Sequence, residues 1–179
     1  QGLTDVFSVI EHFGKAKGLT VAYVGDGNNV CHSLMYACAK VGMHMNVATP
    51  KGYEPLTEVL RTAHEIAKKT GSQISLTHAP KQAVKGAQVL YSDVWVSMGQ
   101  ETETKKRLKT FEGFQFNQEL CHLADKDYIF MHCLPAHREL EVTAEIIDGP
   151  HSIIFDQAEN RLHTQKALMY LLLTTKRKK

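Results

Sequence analysis

The chain has 179 residues, 43% hydrophobic and 22% charged, and 21 Lys and Arg against 19 Asp and Glu leave a net charge of +2. That composition excludes a disordered, collagen-like or coiled-coil chain, and the balanced charge gives no electrostatic case for nucleic acid as a partner. The longest apolar run, Ala167–Leu173, falls far short of the ~20 residues of a membrane-spanning helix, so no membrane role is expected.

In chain order the pattern alternates. Gln1 to Phe13 reads as a helix, with Leu3, Val6, Phe7 and Ile10 at helical spacing and Gly14 to end it. Leu19–Val24 is a short β-rich run closed by Gly25-Asp26-Gly27. A helix from Asn29 to Val41 follows, presenting Leu34, Cys38 and Val41 on one face, with Gly42 as the stop. Met45–Thr49 is the next strand, ended by Pro50. Leu56–Lys69 reads as a helix, Gln73–Thr77 as a strand, Lys81–Gly86 as a short helix and Gln88–Ser92 as a strand. Glu101–Phe111 reads as an exposed helix with Glu101–Lys105 and Glu103–Arg107 pairs. Tyr128–Met131 is a buried-type strand, and Ser152–Phe155 is a further apolar run. The last helix covers Gln157 to Leu173 and runs into Lys176–Lys179, read as a solvated cationic tail suited to a helix C-terminus.

Strands alternating with helices, and no linker-like segment between them, give one α/β domain over residues 1–179. The fold class is a doubly wound, Rossmann-like parallel sheet with helices on both faces. In such sheets a ligand sits beyond the carboxyl ends of the strands, where the strand order reverses. The residues that follow each strand are therefore the candidates.

Gly25-Asp26-Gly27-Asn28-Asn29-Val30 opens like a dinucleotide fingerprint, but Val30 stands where the third glycine belongs. Thr49-Pro50-Lys51 also stands where an acidic ribose partner would close the second strand. An NAD site is therefore not expected. One of Asn28 and Asn29 can cap the following helix while the other faces the crevice. After the fourth strand, Asp93 is the first charge beyond an apolar run, ahead of Trp95, Ser97, Met98 and Gly99. It can meet an ammonium group, or it can simply cap a turn.

After the strand Tyr128–Met131, a thiol, two imidazoles and a guanidinium fall within His132-Cys133-Leu134-Pro135-Ala136-His137-Arg138. A Cys beside cationic groups at a strand end can be partly thiolate, whereas a buried Cys is usually an inert hydrophobe. Pro135 is a candidate for a cis bond. The four cysteines, Cys31, Cys38, Cys121 and Cys133, contain no C-x-x-C pair, so no zinc site is expected. Reduced thiols suit a cytoplasmic compartment, with the mitochondrial matrix as the alternative, and no signal peptide is visible at the start. Arg161 carries the fork that clamps a carboxylate or phosphate; a surface pair with Glu159 or Asp156 is the ordinary alternative.

Taken in order, Gly25–Asn29, Ala48–Pro55, Asp93-x-Trp95-x-Ser97-Met98-Gly99, His132-Cys133-Leu134-Pro135 and Glu159-Asn160-Arg161 resemble the ornithine carbamoyltransferases over the whole length. The resemblance implies transfer of a carbamoyl group from carbamoyl phosphate to the δ-amine of L-ornithine, giving citrulline and phosphate, with no cofactor and no metal. It implies ornithine contacts at Asn29, Asp93, Ser97 and Met98. It implies carbamoyl phosphate contacts at Gln1, Cys133, Leu134 and Arg161, with Cys133 as proton acceptor beside Asp93. The family's preceding carbamoyl-phosphate domain, with its Ser-Thr-Arg-Thr loop, has no counterpart here. The chain therefore resembles the second, ornithine-binding domain, expected to be inactive alone. The family's trimer forms mostly through the other domain, so this chain is expected as a monomer with an apolar interface remnant near its first helix. A stand-alone amino-acid-binding module without chemistry is the competing reading.

Overall fold

The central strands are apolar on both faces, the pattern of a sheet buried on both sides. The computed structural model describes residues 1–96 and 101–175. Its strands are β1 (Thr20–Val24), β2 (His44–Ala48), β3 (Ile74–Thr77), β4 (Val89–Ser92) and β5 (Ile129–His132). They form one parallel sheet in the order β3-β2-β1-β4-β5. Val21, Tyr23, Met45, Val47, Val89, Tyr91, Ile129 and Met131 point into one core. Ala22, Val24, Ala48, Leu90 and Phe130, the residues between them, point into the other.

The described helices are α1 (Gly2–Phe13), α2 (Asn29–Val41), α3 (Thr57–Thr70), α4 (Pro80–Val84), α5 (Thr104–Thr110), α6 (Gln118–Cys121), α7 (Ala144–Ile147) and α8 (Ile154–Thr174). α1, α2 and α3 pack on the first face and α4, α6 and α7 on the second, so the expected doubly wound arrangement is present. Strand order reverses between β1 and β4, which places the turn after β1 and Asp93 at the same end of the sheet. α2 spans the expected residues and stops at Gly42, whose φ of 80° belongs to the left-handed region glycine occupies freely.

Several local expectations are corrected. The apolar spacing of α1 does not mark its buried face: Val6 and Val9 are buried, but Leu3, Phe7 and Ile10 are exposed. The buried side also carries Thr4, Asp5 and Ser8, because α1 packs on α8 through a polar seam. In that seam the Thr4 and Thr164 hydroxyls lie 2.7 Å apart, and Asn160 donates to Ser8 and Glu11. The stretch read as one exposed helix splits into a 3-10 turn at Glu101–Glu103 and α5, and it turns Arg107 inward to Asp26. α8 begins three residues earlier than its sequence pattern suggested. The apolar run before it contributes only a single bridge, Ser152 to Phe130. α6 and α7, four residues each, are too short to show helical periodicity.

Candidate active site

The turn after β1 is built first. Asn28 caps α2, its Oδ1 accepting from the N–H groups of Val30 and Cys31. Its Nδ2 is then free to donate to Asp93 Oδ2 at 2.7 Å. Asn29, one residue on, is exposed. Asn28 is thus the capping residue and also reaches Asp93, while Asn29 makes no part of the cap. Gly27 allows the turn to meet the Tyr53–Pro55 segment: a Cβ there would lie 2.3 Å from Pro55 N and 2.6 Å from Tyr53 O.

Asp93 stands at the end of β4, 5% exposed, and every described contact to it is a donor. Besides Asn28, its Oδ1 accepts from Val94 N at 2.8 Å and from Cys133 Sγ at 3.0 Å. Cys133 follows β5, the strand beside β4. Burial, then the charge of Asp93, push the Cys133 thiol well above its ordinary value, so the resting group is a neutral thiol. Of the two readings the sequence left open for this thiol, the protonated one holds. Arg138 turns away to a bidentate pair with Asp148, and His132 uses Nδ1 to accept from Leu134 N. The Leu134–Pro135 bond is cis, and Leu134 holds a φ of 55°.

Asn29, Asp93, Cys133 and Leu134 line one cavity of about 570 Å³, together with Val94, Trp95 and, from the following loop, Pro135, His137, Leu140 and Glu141. Ser97 and Met98 lie outside the described residues. Gln1 and Arg161 are not in the cavity wall; they meet each other, Arg161 Nη1 donating to Gln1 Oε1 at 3.0 Å. The surface pair with Glu159 does not form; Glu159 instead meets His163. Among the described residues no three His, Cys, Asp or Glu side chains gather as a metal site.

Three features escaped sequence reasoning. Asn28 orients Asp93 as well as capping α2. Arg107, 5% exposed, pairs with Asp26 at 2.8 Å and donates to the Trp95 carbonyl, holding the segment after β4 against the β1 turn. Glu141, fully buried, sits 3.5 Å from His132 Nε2 and accepts from His137 N. Only the Glu103–Arg107 spacing hinted at any of these, and it pointed to the surface.

A family model, the Asp/Orn binding domain of aspartate/ornithine carbamoyltransferases, matches residues 17–172. The chain belongs to this carbamoyltransferase family. It is 56% identical over 173 residues to the ornithine carbamoyltransferase of Carboxydothermus hydrogenoformans, covering 97% of this chain and 56% of that protein. It is 57% identical over 172 residues to that of Bacillus cereus, covering 96% and 54%. Among solved structures, ornithine carbamoyltransferase from Pyrococcus furiosus superposes with a TM-score of 0.92 at 53% identity, covering 95% of this chain and 54% of that one. Ornithine transcarbamoylase from Giardia lamblia gives 0.90 at 35% identity, covering 98% and 60%. This carbamoyltransferase domain therefore spans about half the length of the curated relatives it matches. No described helix is long and apolar enough to cross a membrane.

Proposed function

We propose that the chain is the ornithine-binding half of an ornithine carbamoyltransferase. The enzyme would move the carbamoyl group of carbamoyl phosphate to the δ-amine of L-ornithine, giving L-citrulline and phosphate. The observation that carries this reading is the Asp93 carboxylate at the sheet's switch point. It is buried, held by Asn28 and Cys133, and opens on a cavity that Asn29 also lines.

The δ-amine of ornithine is an ammonium at neutral pH and must lose a proton before its lone pair can attack. A carboxylate with its acceptor sites already ordered suits that task. Because the Cys133 thiol keeps its proton and aims it at Asp93, the acceptor in this reading is the Asp93–Cys133 pair, not a resting thiolate. Asn29, with Ser97 and Met98, would hold the amino acid. Leu134 would line the carbamoyl pocket. Gln1 and Arg161 would contribute an amide and a guanidinium to carbamoyl phosphate.

The relatives' further length is read as the source of the main phosphate cradle, so the isolated chain is expected to bind ornithine without turnover and as a monomer. Leu168, Leu171, Leu172 and Leu173 on α8 are exposed, as are Leu3 and Phe7 on α1, which supports a covering partner there. Four unpaired cysteines, three of them buried, suit a reducing compartment such as the cytoplasm.

Calorimetric titration with L-ornithine, beside citrulline formation from both substrates, tests the reading. Ornithine binding that is lost in Asp93→Asn supports it. A chain that binds no ornithine overturns it, and turnover by the chain alone overturns the half-enzyme part.

A further inference from the structure

Asp5 lies on α1, 1% exposed, between two glutamine amides. Gln1 Nε2 donates to its Oδ1 at 2.6 Å and Gln157 Nε2 donates to the same oxygen at 2.7 Å. Each glutamine spends its other end on a donor. Gln1 Oε1 accepts from Arg161 Nη1 at 3.0 Å, and Gln157 Oε1 accepts from His132 N at 3.0 Å, one residue before Cys133. The chain of bonds therefore runs from Arg161 through Gln1, Asp5 and Gln157 to the end of β5.

An ionised carboxylate only accepts, so both amides must turn their NH2 groups toward Asp5 and their oxygens away. A protonated acid or an asparagine can also donate, and then either amide orientation is allowed. We propose that Asp5 is a positioning residue of this site: its carboxylate fixes the amides of Gln1 and Gln157, and so aligns the Gln1–Arg161 pair with the Cys133-bearing strand end. This rests on the reading of Gln1 and Arg161 as carbamoyl phosphate contacts. Nothing in Asp5's own position touches the substrate cavity.

The groups facing Asp5 are few. Tyr91 on β4 donates to Oδ2 at 3.2 Å, beside the amides of Gln1 and Gln157. Cys38 on α2 and Cys133 after β5 feel its charge, and burial holds both thiols protonated. Burial raises Asp5 to about 6, so it changes charge just below neutral pH.

The test is the KM for carbamoyl phosphate in the full-length protein, wild type against Asp5→Asn, from pH 5.5 to 8. Ionisation of the substrates cancels in the ratio. The expected ratio is about tenfold at pH 7.5, falling to about twofold at pH 5.5, where the wild type also carries a proton on Asp5. A ratio near one throughout, or one that does not change with pH, overturns the positioning role; the latter is what a merely structural loss would give. Wild type that makes no citrulline overturns the parent reading and this one together. Wild type that turns over normally beside an unaffected variant sinks this one alone. Should Asp5→Asn fail to fold, Gln157→Met removes the amide that joins Asp5 and Tyr91 to His132 and leaves the Gln1–Arg161 pair in place. It is expected to lower kcat about fivefold with the carbamoyl phosphate KM within twofold, and an unchanged kcat overturns the proposal.

Discussion

Cys133 Sγ lies 3.0 Å from Asp93 Oδ1 and donates a hydrogen bond to that oxygen. The two residues are forty positions apart and sit at the ends of neighbouring parallel strands, β4 and β5. Their contact fixes which group accepts and which donates. Asp93→Asn replaces an acceptor by a group that must donate at one end, against Asn28, Val94 N and Cys133, all donors. A charge-assisted bond is worth roughly 1.5–3 kcal/mol, so the ornithine dissociation constant should rise at least about tenfold by calorimetry. An unchanged constant would remove Asp93 from the substrate site.

The neutral state of Cys133 has its own signature. Reactivity toward an alkylating agent follows the thiolate fraction. At pH 8 Cys133 should alkylate at less than about a tenth of the rate of a free thiol, and Asp93→Asn should speed it by removing the neighbouring charge. Mass spectrometry of the labelled peptide reads both. Rapid labelling of Cys133 in the wild type would contradict the assigned protonation.

Arg107 is the buried cation that closes the wall behind the site. It bonds Asp26, donates to the Trp95 carbonyl and lies over the Tyr53 ring at 4.9 Å. Arg107→Met leaves Asp26 without its cation, a change that typically costs 3–5 kcal/mol. For a chain of this size that corresponds to a fall in Tm of about 10 °C. The double variant with Asp26→Asn should recover part of the loss; a double variant no more stable than the single would show that the ring contact, not the ion pair, dominates.

Gly27→Ala should destabilise by at least about 1–3 kcal/mol, because the new Cβ meets backbone atoms of Tyr53, Glu54 and Pro55, which cannot swing aside. Urea unfolding measures it. Ornithine affinity should weaken with it, since Asn28 follows directly. A neutral substitution would mean that the Tyr53–Pro55 segment moves freely.

Asp5 sets a pH dependence of stability. Its folded value of about 6 lies above the ordinary 3.8, so between those values the folded chain binds more protons than the unfolded one. Stability therefore falls as pH rises from about 4 to about 6, by on the order of 3 kcal/mol, and the loss is complete above that window. Asp5→Asn should remove this slope in urea titrations at pH 4, 5, 6 and 7. A variant that kept the slope would shift the effect to another group.

The strands and the longer helices could be read from the sequence because each is decided locally. Short continuous apolar runs mark β1, β4 and β5, and glycine at Gly42 ends α2 where its backbone freedom is needed. The motifs after the strands likewise pointed to Asp93 and Cys133, and the family resemblance to Asn29 and Leu134; the four share one cavity. The face of α1 was misjudged because Thr4, Asp5 and Ser8 are buried by partners on α8 more than 150 residues away.

What the sequence determined by itself is the alternation of elements, the parallel sheet that follows from it, and the set of polar groups placed just beyond the strands. Those depend on periodicity and turn chemistry over a few residues. Only the tertiary structure decided which groups meet: that Cys133 faces Asp93 and not a cation, that Arg107 turns inward to Asp26, and that Asp5 links Gln1 to Gln157. Such pairings hold a polar atom out of water, and whether that is tolerable depends on the partner that the rest of the chain delivers to it. No local pattern records that partner.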